Sequence, residues 1–346
     1  MKQVFVALMI FIFTSLTFAQ EATTDSTALK DVVQSFLGLN QPKLGFMAQF
    51  AGEVSDNGYN TTSAFTIRNL RMYFTGSVGE HFKYFFQGSL NQYFEMLDLK
   101  LTYIIDEHFR IDGGRFKTGF GEEYLVNDAK LLFIKRSTIA LSIGTFRKYG
   151  MQVQGSMLEK RLTFTAGAFN GENTNPKKIS LLIGKVHTIP IKFGDVTPDF
   201  QFEADGSIAY TQNQRDLPFL FSHNNHILFS GGTKATYNNL WLGGEYFAAT
   251  SNRTRTVDGF YIDLGSRINH ELEVAVRFDW SANYYKEVYL DHIWQYIFAR
   301  DISRKYLIGV NYYPLDHIKL QLDYERDYTH KANSAWLNCQ YAINFE

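Results

Sequence analysis

Segments of about ten residues with alternating apolar and polar side chains follow one another from Leu44 to the C-terminus. In one of the clearest, Leu97, Leu99 and Leu101 alternate with charged and hydroxyl side chains. A period of two is typical of a β-strand with one apolar and one polar face, and about ten residues let a tilted strand cross a membrane. The pattern therefore predicts antiparallel strands between lipid and water.

The last strand of the sequence shows this alternation most clearly. Its Leu337 and Cys339 share one parity, and its Asn338 and Gln340 share the other. A chain that stops inside such a strand exposes an unpaired edge unless another strand covers it. We expect the last strand to pair antiparallel with the strand that begins near Leu44, with its apolar face toward lipid and its amides toward channel water. Such pairing closes the sheet into a barrel.

The composition excludes other classes of protein. Aromatic residues make up 16% of the chain, with 31 Phe and 21 Tyr, and Pro occurs only 6 times, which suits strands with aromatic girdles. The mean hydropathy of -0.21 does not favour a bundle of membrane helices. The formal net charge of -1 gives no support to a nucleic-acid partner, and a single cysteine cannot form an internal disulfide.

The N-terminal residues predict export from the cytoplasm. Lys2 precedes an apolar run over residues 4–16, and small side chains follow up to Ala19, as in a secretory signal peptide. A retained membrane anchor is the weaker alternative, because the run is shorter than the roughly 20 residues of a spanning helix. We predict a signal peptide over 1–19, a periplasmic leader over 20–43 and the barrel over 44–346.

The connections between strands alternate in length, as expected if short turns face the periplasm and long loops face outward. A soluble β-sandwich is not expected to show this alternation of short and long connections. Tight joins occur at 79–81, 106–108, 157–160, 238–239, 269–270 and 314–317, and longer ones at 53–63, 117–146, 171–178, 211–225, 251–256 and 285–303. The strands number about 16, with weak alternation at 179–192 and 289–299. A barrel of that size leaves an aqueous channel.

Several pieces between Phe65 and Gly155 resemble the phosphate-selective porin O and P family of outer-membrane channels. They are residues 66–73 leading to Gly76, Asp98, residues 113–121, residues 135–136 and residues 147–152; residues 308–314 and the last strand resemble the end of the same family. The resemblance implies a trimeric porin of 16 strands whose long third loop narrows the channel. The sequence departs from the family in lacking a Pro near Thr118.

The long connection over residues 117–146 is the best functional candidate, because its length suggests that it folds into or over the lumen. With its flank to Lys148, it carries six lysine and arginine residues and three carboxylates. Rings of such cations select anions in a pore. The alternative is an external loop with solvated charges. Candidates for lining or constricting the pore are Arg71, Lys100, Arg115, Lys117, Lys130, Lys135, Arg136, Lys148 and Arg277.

Two local features test how well parity predicts side-chain direction. Strict alternation would place Arg115 and Lys117 on the lipid side, where a cation is costly. We therefore predict a β-bulge at Gly113 and Gly114 that turns both cations into the lumen and Phe116 outward. By contrast, Arg68 shares the parity of the lipid-facing residues and is expected to reach the headgroups from the end of its strand.

Charged residues of both signs have lumen parity, among them Arg277 and Asp263, which favours ion-paired walls over a dedicated ladder of cations. The pair His223 and His226 has no third ligand nearby, and Asp106 lies in a tight turn where its role is structural, so neither a metal, a cofactor nor catalysis is expected.

The sequence thus predicts an all-β outer-membrane porin of a Gram-negative bacterium, embedded in the lipid bilayer, and the family resemblance implies a homotrimer. It would admit small hydrophilic solutes by passive diffusion, with a preference for anions such as phosphate. An outer-membrane barrel enzyme is one alternative. The other is a structural or adhesion barrel with a plugged lumen.

Overall fold

The alternating segments form one closed antiparallel sheet in a computed structural model. The structure describes residues 43–170, 179–188, 190–192, 200–212, 225–251, 254–290 and 293–344. The strands of this part are β1 (Lys43–Asp56), β2 (Thr61–Val78), β3 (Phe82–Ser89), β4 (Glu95–Ile104), β5 (Phe109–Lys117), β6 (Arg147–Met157), β7 (Leu162–Asn170), β8 (Ile179–Thr188), β9 (Ile191–Lys192), β10 (Phe200–Gln212), β11 (Asn225–Tyr237), β12 (Leu240–Ser251), β13 (Thr254–Arg267), β14 (Leu272–Leu290), β15 (Ile293–Leu315), β16 (Ile318–Asp327) and β17 (Ala332–Ile343).

The barrel has 16 strands, because β8 and β9 are two pieces of one strand. Both pair with β10, through Leu181 to His187 in β8 and through Ile191 and Lys192 in β9. Every other strand pairs with its neighbours in sequence, and β17 pairs with β1. The predicted fold class and strand number are therefore confirmed.

The closing pair joins β1 and β17 antiparallel, in a register that runs from Phe46 opposite Ile343 to Asp56 opposite Asn333. Leu337 and Cys339 are exposed on the outer surface, as predicted. Asn338 faces inward but is fully buried, so the expectation that it meets channel water is wrong. Its amide donates to Gln321 Oε1 at 2.9 Å. Phe345 lies outside the described residues.

The connections between strands alternate in length only in part as predicted. The tight joins at 79–81, 238–239 and 269–270 lie at the same end as Lys43 and Ile343. Two predicted long loops are mostly strand instead, because β1 and β2 extend into 53–63, and β14 and β15 into 285–303. A strand that continues beyond the membrane need not alternate, so the pattern is lost there. The loops at 171–178 and 213–224 lie outside the described residues.

Aromatic side chains pack together at both ends of the outer surface. Phe82 and Tyr103 lie near the short turns, with ring centroids 4.9 Å apart, and Tyr306 and Tyr328 lie toward the opposite end, at 5.2 Å. Such girdles sit at the two interfaces between lipid and water. No helix among the described residues has the length and apolar character needed to span a membrane. The predicted signal peptide and leader, up to residue 42, lie outside the described part.

The connection between β5 and β6 folds into the lumen, so the alternative of an external solvated loop is wrong. We call residues 118–146 the internal loop; it contains α1 (Glu122–Leu125), a 3₁₀ helix (Asp128–Lys130) and α2 (Thr138–Ile143). Its Ile139 and Ile143 are fully buried against inward-facing apolar side chains of the wall. Gly259 makes room for it, because a Cβ there would lie 3.0 Å from Ile139 Cγ1.

The bulge predicted at Gly113 and Gly114 is absent. The register of β5 is continuous with β4 and β6, so Arg115 keeps lipid parity and Phe116 faces inward. Gly114 serves a different purpose: its φ is 127°, and a Cβ there would collide with the Leu99 carbonyl oxygen. The glycine permits a close approach of two strands without changing the register.

A bulge occurs instead at Arg68, which corrects the expectation for that residue. The register between β1 and β2 shifts between Gln49 and Phe50, which pair with Asn69 and Ile67. Arg68 is the extra residue, and it interacts electrostatically with Asp128 inside the barrel. It therefore does not extend toward the lipid headgroups. Parity fails here because one inserted residue inverts every side chain beyond it.

Candidate functional site

Wall carboxylates hold the two helices of the internal loop by their first backbone N–H groups. Glu245 accepts hydrogen bonds from the N–H groups of Glu122 at 2.8 Å and Glu123 at 3.1 Å, and Asp279 accepts one from Thr138 at 2.6 Å. These N–H groups lack partners within a helix, and a negative charge near them is favourable. The cap of α1 offers no side chain of its own, so the barrel wall supplies the acceptor.

The middle of the loop is attached to the opposite wall. Asp323 accepts from the Ile134 N–H at 2.6 Å, and Lys319 donates to the Leu131 carbonyl at 2.5 Å. Gln340 donates to a further loop carbonyl at 3.1 Å. These three hydrogen bonds are made to the main chain of the loop, so they do not depend on which side chains the loop carries at those positions.

Arg277, a predicted pore-lining residue, joins the loop to the wall. Its guanidinium contacts both carboxylate oxygens of Asp263, at 2.6 and 2.7 Å, and Glu123 at 2.7 Å. It also lies between the rings of Phe133 and Tyr261, at 4.8 and 4.6 Å from their centroids. Arg277 is buried and its charge is compensated, which agrees with the expectation of an ion-paired wall.

Asp128 joins the loop to two cations. Its carboxylate pairs with Arg71 of β2, and it accepts from Arg136 Nη1 at 2.5 Å. Arg136 also donates to the Val126 carbonyl at 2.6 Å. Burial alone would raise the pKa of Asp128, but the nearby charges of Arg71, Arg136 and Lys117 hold that pKa below its usual range.

A cavity of about 420 Å³ lies between the internal loop and the wall. We call it the cationic cavity. Five lysine and arginine side chains and three carboxylates line it. Each carboxylate has a cation partner: Asp98 pairs with Arg147 at 3.0 Å, Glu122 with Lys185, and Asp128 with Arg71. The remaining cations are Lys100 and Lys117.

Neither of these lysines forms an ion pair with a carboxylate within the described part of the chain, although Lys117 is close enough to Asp128 to contribute to the low pKa of that group. Lys117 Nζ donates to the carbonyls of Tyr124 and Val126, both at 3.0 Å. Lys100 makes no hydrogen bond or ion pair with the described residues. The lining therefore has two more lysine and arginine side chains than carboxylates, a formal excess of positive charge. In a site shielded from water, uncompensated cations attract an anion more strongly than they would in bulk solvent.

The predicted candidates are distributed over several places. Arg71, Lys100 and Lys117 line the cationic cavity, and Arg136 holds Asp128. Lys130 lines a second cavity, Lys148 is buried, and Arg277 joins loop and wall. Lys135 lies 3.4 Å from Glu53 and over the Trp336 ring. Arg115 lies on the lipid side, where it donates to the Leu97 carbonyl at 2.7 Å.

Parity did not identify Lys185, which also lines the cationic cavity. The neighbouring inward positions of β8 are Leu181 and Ile183, which pack in the apolar cluster beneath the internal loop. A strand with apolar side chains on both faces shows no alternation, so this lysine is hidden in the sequence. The one feature of the sequence that distinguishes Lys185 is that it is a basic residue among apolar neighbours.

A second cavity, of about 540 Å³, lies next to the first and has the opposite charge. Within the described residues, seven carboxylates and four lysine or arginine side chains line it. Glu122 and His187 line both cavities, so α1 stands at the boundary between them.

The described residues contain no group of three or more His, Cys, Asp and Glu side chains that could hold a metal ion. His223 lies outside them. Asp106 accepts from the backbone N–H groups of His108 at 2.7 Å and Phe109 at 2.8 Å, the turn role predicted for it.

Residues 43–192 match the model of a family described as phosphate-selective porin O and P, which confirms the resemblance of the motifs between Phe65 and Gly155. The similar residues 308–314 and the last strand lie outside the matched range. No curated protein matches the chain in sequence.

Solved structures share the fold across most of their length. An anion-selective porin from Comamonas acidovorans is 9% identical with a TM-score of 0.64, covering 88% of this chain and 100% of its own. OmpF of Salmonella typhi in complex with daunomycin is 14% identical with a TM-score of 0.63, covering 88% and 98%. OmpT of Vibrio cholerae in a trimer form is 10% identical with a TM-score of 0.60, covering 88% and 100%. At these identities the likeness shows the fold alone. Together with the family match, it places the chain in the outer membrane of a Gram-negative bacterium.

Proposed function

We propose that this chain conducts small solutes passively and favours anions. The premise is that the chain is an outer-membrane porin, whose residues 43–192 match the phosphate-selective porin O and P family. The observation that carries the preference is the cationic cavity, where Lys100 and Lys117 have no carboxylate partner. Their field lowers the energy of an anion beside the internal loop and raises that of a cation. The channel is proposed to have no catalytic activity.

The proposal includes a homotrimer. It is supported by the trimer form of the Vibrio cholerae relative and by an apolar groove on the outer surface at β17, β1 and β2, lined by Phe50, Phe65 and Leu337 among others. The barrel enzyme remains the alternative for a channel without conductance. The plugged adhesion or structural barrel would likewise conduct no ions.

Planar-bilayer recording tests the function. Purified protein in a gradient of KCl should show discrete conductance that closes in three equal steps, with a reversal potential that indicates preference for chloride. Lys100→Gln should reduce the chloride-to-potassium permeability ratio about twofold to fivefold, because it removes one of two uncompensated charges. Arg115→Gln, on the lipid side, is the matched control and should leave the ratio unchanged. A channel that prefers potassium, or no conductance at all, would contradict the proposal.

A further inference from the structure

The cationic cavity also contains a set of neutral hydrogen-bonding side chains that a simple inorganic anion would not need. Gln152 and Gln154 of β6 and Thr163 and Thr165 of β7 line it together with Lys100. The registers place them in successive rows: Gln152 lies opposite Asp112, and Gln154 lies between Arg110 and Thr165. These rows continue from the level of Lys100 toward the short-turn end of the barrel.

The cavity has room beside the lysine. On the side of β5, Lys100 pairs with Gly114, and Gly114 pairs with Gly150, so the next two inward positions there carry no side chains. On the side of β3, Lys100 pairs with Phe85. The volume of about 420 Å³ falls in the range of about 300–1,000 Å³ that is typical of sites for small organic ligands.

Two buried polar atoms of residues that line this cavity have no hydrogen-bond partner within the described structure. Gln152 donates to Asp112 Oδ2 at 2.9 Å, but its Oε1 accepts no hydrogen bond. Arg71 pairs with Asp128, but its Nε has no acceptor. Both atoms are covered from the cavity, so the hydroxyl groups of a solute would meet the amide of Gln154 and the hydroxyl of Thr165 instead.

An aromatic pair completes the lining. Tyr73 and Phe85 are stacked with ring centroids 5.8 Å apart and an interplanar angle of 29°, and both face the cavity. Tyr73 is buried, and the partly exposed Phe85 offers an apolar surface to the C–H face of a sugar ring while its neighbours bind the polar groups.

We propose that the cationic cavity is a binding site for an anionic monosaccharide, a sugar that carries one phosphate or carboxylate group. Its anionic group lies at Lys100, its hydroxyl groups bond to Gln154 and Thr165, and its ring packs on Phe85. The inference rests on the proposed anion-preferring channel and names the class of its preferred solute.

Block of the ionic current in the reconstituted channel tests the inference. The probes are glucose 6-phosphate, glucuronate, glucose and inorganic phosphate. Glucose 6-phosphate should halve the current at a concentration about tenfold lower than either glucose or inorganic phosphate, because each of those two probes satisfies only one kind of group. Glucuronate distinguishes a carboxylate from a phosphate as the preferred anionic group.

Two variants separate the contributions. Thr165→Val should weaken block by glucose 6-phosphate about fivefold and leave block by inorganic phosphate unchanged, whereas Lys100→Gln should weaken both. Lys234→Gln, in the second cavity, is the control and should change neither. Equal block by glucose 6-phosphate and inorganic phosphate in an anion-preferring channel overturns this inference alone. A reversal potential without anion preference overturns the proposed function instead.

Discussion

The charge of a lysine or arginine in this lumen matters only where no carboxylate compensates it. Arg277 and Arg71 face inward, but carboxylates at hydrogen-bonding distance neutralise both. Lys100 has the same inward direction and no such partner among the described residues. Counting inward cations from the sequence therefore overestimates the field in the channel. The partners that cancel it, such as Asp128, come from distant parts of the chain.

A substitution at Asp128 tests whether carboxylates cancel the charge of inward-facing cations. Asp128→Asn leaves Arg71 and Arg136 without their shared carboxylate, so the variant should prefer chloride more strongly than the wild type. Because the folded-state pKa of Asp128 is depressed, its stabilising ion pairs persist above its unfolded pKa of about 3.9 and are lost only as the pH falls through the lower folded value. The wild-type channel at pH 5 should therefore keep its pH 7 reversal potential as far as this group is concerned. A wild type that behaves at pH 5 like Asp128→Asn at pH 7 would contradict the assignment.

The helices of the internal loop depend on hydrogen-bond acceptors that the barrel wall supplies. These helices are only four and six residues long, too short to be stable alone, and the wall supplies their N-terminal acceptors. The length of this connection predicted that it folds into or over the lumen, with an external loop as the alternative. It could not predict the path, which depends on acceptors such as Glu245 and Asp279, far away in sequence.

Glu245→Gln should loosen the start of α1, because an amide offers one acceptor oxygen where the carboxylate offers two. We expect trypsin to cut the internal loop after Lys130 or Arg136 about fivefold faster in intact, folded protein, corresponding to about 1 kcal/mol of local stability. Glu203→Gln is the control, since Glu203 lines the second cavity and makes no hydrogen bond to the loop in the described structure. Equal cleavage of the two variants would show that Glu245 does not hold α1.

Strand prediction worked where each face meets a different solvent. In β4, Leu99 and Leu101 meet lipid and Lys100 meets the lumen, so alternation is clear. In β8, the inward Leu181 and Ile183 meet the apolar side of the internal loop, and alternation disappears. Alternation of apolar and polar residues thus appears where one face of the strand meets lipid and the other meets water. It is absent where apolar side chains of the internal loop cover the inner face.

The whole molecule depends on one seam, between the first and last strands. Cys339 of β17 lies opposite Phe50 of β1 in the register, and both residues face outward. Facing residues of antiparallel strands have Cα atoms about 4.5–5.5 Å apart, which suits a disulfide.

Phe50→Cys should therefore form an intramolecular disulfide with Cys339 under mild oxidation. The oxidised barrel should resist unfolding on gel electrophoresis at temperatures that unfold the reduced protein. Phe65→Cys is the control, because Phe65 lies opposite Gly52 and cannot reach Cys339 in this register. A free thiol at Cys339 in oxidised, folded Phe50→Cys protein would argue against the closing register.

The attachments of the internal loop have a mechanical consequence. It bonds to Glu245, Asp279, Asp323, Gln340 and Arg71, so it contacts the ring at points distributed around much of its circumference. An empty ring of this size can flatten into an ellipse when the surrounding lipid compresses it. A segment fixed across the interior acts as a brace against that deformation, and the space beside Lys100 should keep its width as membrane tension varies.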